Sequence, residues 1–257
     1  MNLAVATNHP VDEYGFPISG ELAGIDRAGI TEVSLQLLHR YGVTMPQVVE
    51  NAGHALARLA CRRFFGGDVS GKSLVVLAGN GNVGAAVLTA ARRLLIWGAS
   101  VQLVSARTQR ASLGLAARQL AVLARLGSAV QDPPADAPDL IIDGLTGYDP
   151  DALPDGRCGK LIEWANATRA PVLAYESPAG AFSRRHGITA IRATATLMVG
   201  MPKTALMAPA AATQVGALYL ADISIPPGLW QGLARPLHAP CYARGDILRV
   251  LRPGEMV

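Results

Sequence analysis

The sequence predicts an α/β protein in which a mostly parallel sheet is covered by helices on both faces. Two observations predict it. Short apolar runs of β-type residues recur from Leu74 onward, and amphipathic helical stretches separate them. The first of these runs ends in glycines at Gly79 and Gly81, and a helical pattern begins at once. That sequence of features is a strand, a tight turn and a helix N-terminus. In sheets of this kind ligands sit outside the carboxyl ends of the strands, so candidate chemistry is read from those ends.

Composition narrows the class. A chain of 257 residues, 50% of them hydrophobic, fits a single α/β domain with a full core and excludes disorder. Aromatic residues make up only 5%, which argues against a stacking surface for single-stranded nucleic acid. The net charge of +4 comes from arginines scattered along helices with no stripe, so no nucleic-acid partner is expected. A mildly basic balance suits a small anionic ligand of the phosphorylated or nucleotide-like kind. The three cysteines lie far apart with no C-x-x-C pair, which points to reduced thiols. The first ten residues lack the pattern of a signal peptide, and no apolar run is long enough to span a bilayer. A cytoplasmic protein without a membrane partner is the expectation.

Taken in order, residues 1–24 are polar and turn-rich and read as an arm on the surface. Residues 31–38 read as a helix with Thr31 as its N-cap, and residues 45–60 as a second helix capped by Thr44, with Pro46 in its first turn. Strands are expected at 74–78, 101–105, 140–143, 172–175, 195–199 and 217–223. Helices are expected at 85–97, 113–126 and 159–167. From Pro226 the chain is proline-rich and reads as an extended tail that packs on the body or on a second subunit. Residues 1–257 thus form one domain, with a core at 25–225 between arm and tail.

The strand ends carry the candidate residues. Gly79, Gly81 and Gly84 satisfy G-x-G-x-x-G in a strand–turn–helix context, where glycines permit close approach and first-turn N–H groups attract anions. The next strand end holds Arg107 in place of the acid that an NAD-binding unit would carry; it either meets a 2′-phosphate or is a surface charge. Asp143 ends an apolar strand before Gly144, Leu145, Thr146, Gly147 and Tyr148, and acts either as a cap on loop N–H groups or as a ligand or ion contact. Glu176 ends the strand after it. Beside Asp143 it forms a candidate acid/base pair, with a structural cap as the alternative. Lys203 follows another apolar strand and either faces an anion or reaches solvent.

The order of these features resembles the YjeF N-terminal domain, the family of NAD(P)H-hydrate epimerases. The residues that carry the resemblance are Gln47 to Gly53, Gly79 to Gly84, Asp143 to Gly147, Glu176 to Gly180 and Gly200 to Lys203, over roughly residues 25 to 225. The resemblance implies a Rossmann-like three-layer αβα sandwich, often a homodimer, that interconverts the R and S epimers of hydrated NADH or NADPH. It implies Glu176 and Asp143 as catalytic residues. Gly79, Gly81, Asn82, Val83, Gly84, Gly147, Tyr148 and Lys203 are then the substrate-binding positions. The family's glycine loop reads G-x-G-N-N-G-G-D-G, whereas Val83, Ala85, Ala86 and Val87 replace its second Asn, a Gly, the Asp and the last Gly. The family also holds potassium through that second Asn, the strand-end Asp and the Ser of D-I-P-S-G. Here only Asp143 survives, with Val83 and Ala179 at the other two positions, so the ion is expected to be weakened or lost. Glu176 stands where the family has an aspartate. The alternatives are a non-catalytic binding or dimerisation module and, through Arg107, an NADP-dependent oxidoreductase.

Overall fold

The computed structural model describes residues 10–19, 22–106, 114–148, 156–183, 189–232 and 242–255. Seven strands form one sheet: β1 (Ser73–Ala78), β2 (Ser100–Ser105), β3 (Leu140–Gly144), β4 (Val172–Tyr175), β5 (Ala195–Val199), β6 (Ala217–Ala221) and β7 (Ile247–Val250). Their order is β2-β1-β3-β4-β5-β6-β7, parallel throughout except for β7, which runs antiparallel to β6. The architecture is the expected Rossmann-like αβα sandwich. Side chains alternate between two cores, as the pleat requires: Leu74, Val76 and Ala78 face one layer, Val75 and Leu77 the other.

The first layer contains α2 (Met45–Phe65), α3 (Gly81–Ile96) and α4 (Gly114–Arg125), and the second α5 (Gly156–Thr168). The α2 helix starts as its sequence signals. Thr44 is its N-cap, and Gln47 Oε1 accepts the Thr44 N–H at 2.8 Å, the returning half of a capping box. The helix before it, α1 (Arg27–His39), begins four residues earlier than expected. Its N-cap is Asp26, whose carboxylate accepts the Gly29 N–H at 2.9 Å, whereas the Thr31 hydroxyl donates to the Arg27 carbonyl inside the helix.

Both flanks of the expected core are more ordered than they read. The segment from Pro226 contains a short helix, Pro227–Gln231, and contributes β7, so it is not wholly extended. Two apolar residues of β7, Ile247 and Leu248, sit in proline-poor sequence and pack as well as any core strand. Described residues of the N-terminal arm lie along that strand: Ile18 bridges Arg249, and Ser19 N donates to the Arg249 carbonyl at 2.9 Å. Phe16 is only 2% exposed and packs edge-on against Tyr219 at 5.4 Å between centroids. The Tyr219 hydroxyl is held on both sides, donating to Asp12 at 2.7 Å and accepting from Arg63 at 2.7 Å. The arm is therefore a covering piece of the core. Among the described residues no helix is long and apolar enough to cross a membrane.

The strand order fixes where a ligand belongs. From β1 the chain moves outward to β2, then crosses back to β3 on the other side of β1. That reversal opens a crevice at the carboxyl ends of β1 and β3. Phe16→Ala is expected to lower the unfolding free energy by about 3 kcal/mol, read from urea denaturation. A loss below about 0.5 kcal/mol, the range of surface substitutions, would show that the arm adds nothing to the core.

Candidate active site

A cavity of about 340 Å³ lies over the carboxyl ends of the strands. The first turn of α3, through Val83, and the loops after β3, β4, β5 and β6, through Tyr148, Glu176, Met201 and Ile223, supply its floor, and α1 covers it with Ile30, Val33 and Leu37. Its wall is largely apolar. Among the described residues, its charged lining side chains are Glu176 and Lys203.

These two form an ion pair. Lys203 Nζ stands 2.7 Å from Glu176 Oε2, and it donates to the Val199 carbonyl at 2.7 Å. Glu176 Oε1 accepts the Val199 N–H at 3.1 Å, so the carboxylate both caps the end of β5 and faces the cavity. Lys203 is 3% exposed, which rules out the solvent-reaching alternative. Glu176 adopts φ 65°, a left-handed conformation that costs a β-carbon residue of order 1 kcal/mol. Two backbone bonds hold it there: Glu176 N to Leu197 O at 2.8 Å and Ser177 N to Tyr175 O at 2.8 Å. The tight turn swings the carboxylate out of the strand direction and over the neighbouring β5.

Asp143 lies beneath the cavity and does not line it. Fully buried, it accepts the Leu145 N–H at 3.0 Å through Oδ1 and the Ala179 N–H at 2.8 Å through Oδ2. Burial pushes its carboxyl up to about 6, against the lowering pull of the two N–H donors. Each of its oxygens accepts one loop N–H, as the cap reading of this aspartate has it.

The glycine turn divides by role. The α3 helix begins at Gly81, four residues ahead of the sequence expectation, with Asn80 as an N-cap whose side chain makes no capping bond. Gly79 and Gly84 serve packing. A Cβ on Gly79 would stand 1.9 Å from the Leu145 carbonyl oxygen, and one on Gly84 2.1 Å from the Gly79 oxygen. Gly81 is needed for its φ of 62°, and Gly147 lies against Val83. None of these four glycines lines the cavity, whereas Asn82, Val83, Tyr148 and Lys203 do. Arg107 lies outside the described residues. Sequence reasoning missed the Tyr175 ring and the α1 residues that close the cavity; Tyr175 could have been found by its place beside Glu176.

Fold and site together define a Rossmann-like α/β protein whose cavity sits where this class binds its ligands. The model of the family described as YjeF-related protein N-terminus matches residues 46–205, more than half the chain. The chain belongs to that family. It is 31% identical over 236 residues to a protein of Dehalogenimonas lykanthroporepellens named NAD(P)H-hydrate epimerase, covering 90% of this chain and 89% of that one. A protein of Bordetella pertussis with the same name is 35% identical over 213 residues, covering 79% of this chain and 89% of its own. The crystal structure of the yeast protein YNL200c superposes with a TM-score of 0.71 at 18% identity, covering 89% of this chain and 100% of that one. That likeness speaks for the fold.

The raised carboxyl of Asp143 has a consequence for stability. Between about pH 4 and 6 the native protein holds a proton there that the unfolded chain has released. The stabilising contribution is fully present below the unfolded value of 3.8 and is lost as pH rises through about 6. Wild type is expected to lose on the order of 3 kcal/mol relative to Asp143→Asn across that window in urea denaturation. A difference that does not change with pH would show that Asp143 does not titrate there.

Proposed function

We propose that the protein is an epimerase of the NAD(P)H-hydrate class, acting on the hydrated reduced dinucleotide or a closely related nucleotide-type molecule. The observation that carries this reading is the Glu176–Lys203 pair, buried in the wall of an otherwise apolar cavity at the strand ends. The names of relatives that match most of the chain support the substrate class. Family resemblance supports a homodimer, and the lack of paired cysteine motifs supports a cytoplasmic setting.

Inverting the carbon that bears the added hydroxyl requires one bond to break and reform on the opposite face. The hydroxyl takes a proton and leaves as water, while the ring nitrogen's electron pair forms a carbon–nitrogen double bond. Water then adds from the other side and gives the proton back. Glu176 is the group that carries this proton: it takes one from solvent, gives it to the departing hydroxyl and recovers it from the water that adds. Lys203 holds the carboxylate in place. With two of its three N–H donors on Glu176 and Val199, it has a third for a substrate oxygen. The phosphates of the substrate lie toward the first turn of α3, where backbone N–H groups and the helix dipole favour an anion.

Potassium does not fit this site. Of the three side-chain oxygens that the resemblance implies, only Asp143 remains, and its oxygens already accept the Leu145 and Ala179 N–H groups. Val83 and Ala179 offer no side-chain oxygen, and a hard cation needs several. No step of the mechanism runs through an ion. Epimerisation of one pure NADPH-hydrate epimer, followed by chromatography, is expected to proceed at the same rate when potassium is replaced by tetramethylammonium at constant ionic strength. A rate that collapses without potassium overturns the ion-free reading.

Glu176→Gln is expected to lower kcat/KM by at least about a hundredfold, the usual worth of a positioned acid or base. Its melting temperature should be reported alongside, because the change strands a buried lysine charge. Turnover unchanged in Glu176→Gln would remove this residue from the chemistry. If the wild type gives no interconversion above the spontaneous rate, the fold serves as a binding or dimerisation module instead.

A further inference from the structure

Tyr175 is the last residue of β4, next to Glu176, and its ring lines the cavity. It is only 5% exposed. No described residue gives its hydroxyl a hydrogen bond, and its oxygen is not among the buried side-chain atoms left without a partner, so it is open to the cavity that the residue lines. Tyr219, the other buried tyrosine among the described residues, and the half-buried Tyr242 differ in this respect. The Tyr219 hydroxyl bonds both Asp12 and Arg63, and the Tyr242 hydroxyl donates to the Gly200 carbonyl at 3.3 Å. A phenylalanine would line the same wall without placing a donor there. The hydroxyl therefore answers to something that enters the cavity.

The cavity also limits what can enter. Its one lining cation among the described residues, Lys203, is neutralised by Glu176, and the rest of the wall is mainly aliphatic. An uncharged ring with an oxygen substituent suits such a space; a phosphate does not. Burial and the nearby Glu176 carboxylate push the Tyr175 phenol well above its ordinary value, so it stays neutral and able to donate.

We propose that Tyr175 is a specificity-determining residue: its hydroxyl donates a hydrogen bond to the hydroxyl added on the hydrated ring, and so separates the hydrate from the parent reduced dinucleotide. The proposal rests on the cavity being the substrate site of the proposed epimerase. The hydrate and the parent differ at the ring by the elements of one water, so the pair isolates this contact.

The test is a four-way titration by calorimetry. Wild type and Tyr175→Phe are each titrated with NADPH and with the equilibrated mixture of NADPH-hydrate epimers. Wild type is expected to bind the hydrate about tenfold more tightly than NADPH, and Tyr175→Phe to lose that preference while keeping its affinity for NADPH. The melting temperature of Tyr175→Phe is expected to match wild type, because the hydroxyl has no internal bond to lose. A preference retained in Tyr175→Phe overturns the role of Tyr175 and leaves the substrate reading standing. An equal loss for both ligands places the hydroxyl on a group they share and overturns the discrimination, as does a wild type that binds both equally. A wild type that binds neither removes the substrate reading and the proposal with it. A markedly lower melting temperature in the variant would reveal an internal partner and overturn the proposal as well.

Discussion

Asp143 accepts one N–H from the loop that follows its own strand and one from the loop that follows β4, and the site depends on that double bond. Leu145 and Ala179 belong to different crossovers of the sheet, and the two bonds tie those crossovers together beside the apolar cluster that both residues share. A carboxylate offers acceptors on both sides, so one buried side chain can staple two loops. The desolvation that pushes its carboxyl up to about 6 is the cost of placing the staple at the sheet's interior end. Once it is in place, the turn that carries Tyr175 and Glu176 has a defined height above the sheet.

On that platform the ion pair and the covering helix form a connected unit. Lys203 reaches Glu176 from the loop after β5. The same loop is stitched to the start of α1, by Ile25 N to Pro202 O at 2.9 Å and Thr204 N to Ile25 O at 3.0 Å. The helix that roofs the cavity is therefore anchored at one end to the residue that neutralises the cavity's acid. Removing either charge would leave its partner buried without compensation, an effect usually larger than the net worth of the pair. The arrangement keeps a reactive carboxylate dry and oriented inside an apolar enclosure.

Much of this was legible from residue order. The β1 to β6 strands lie within two residues of their expected bounds, because uninterrupted apolar runs buried on both faces have no other stable fate. Thr44 and Gln47 announced the start of α2 through a local hydrogen-bond pattern. The start of α1 was misread because Thr31 and Asp26 are both good caps locally; Asp26 takes the role, while the Thr31 hydroxyl turns back on the Arg27 carbonyl. That the last segment would contribute a strand was not read from it, for a similar reason. β7 is four residues long, and its pairing with β6 lies outside its own neighbourhood.

The sequence by itself determined the layered α/β architecture, the glycine turn before α3 and the presence of acids at two strand ends, all of which follow from local periodicity and side-chain chemistry. Only the tertiary structure decided which acid faces the cavity. Asp143 and Glu176 read alike in the chain, yet one is consumed by backbone N–H groups while the other is turned by a left-handed residue onto Lys203. The same holds for Gly79 and Gly84, which serve close packing, and for Tyr175, whose hydroxyl has no partner among the described residues. The physical reason is common to all three. Burial and hydrogen-bond satisfaction are properties of surroundings assembled from distant parts of the chain, and no local pattern of residues encodes them.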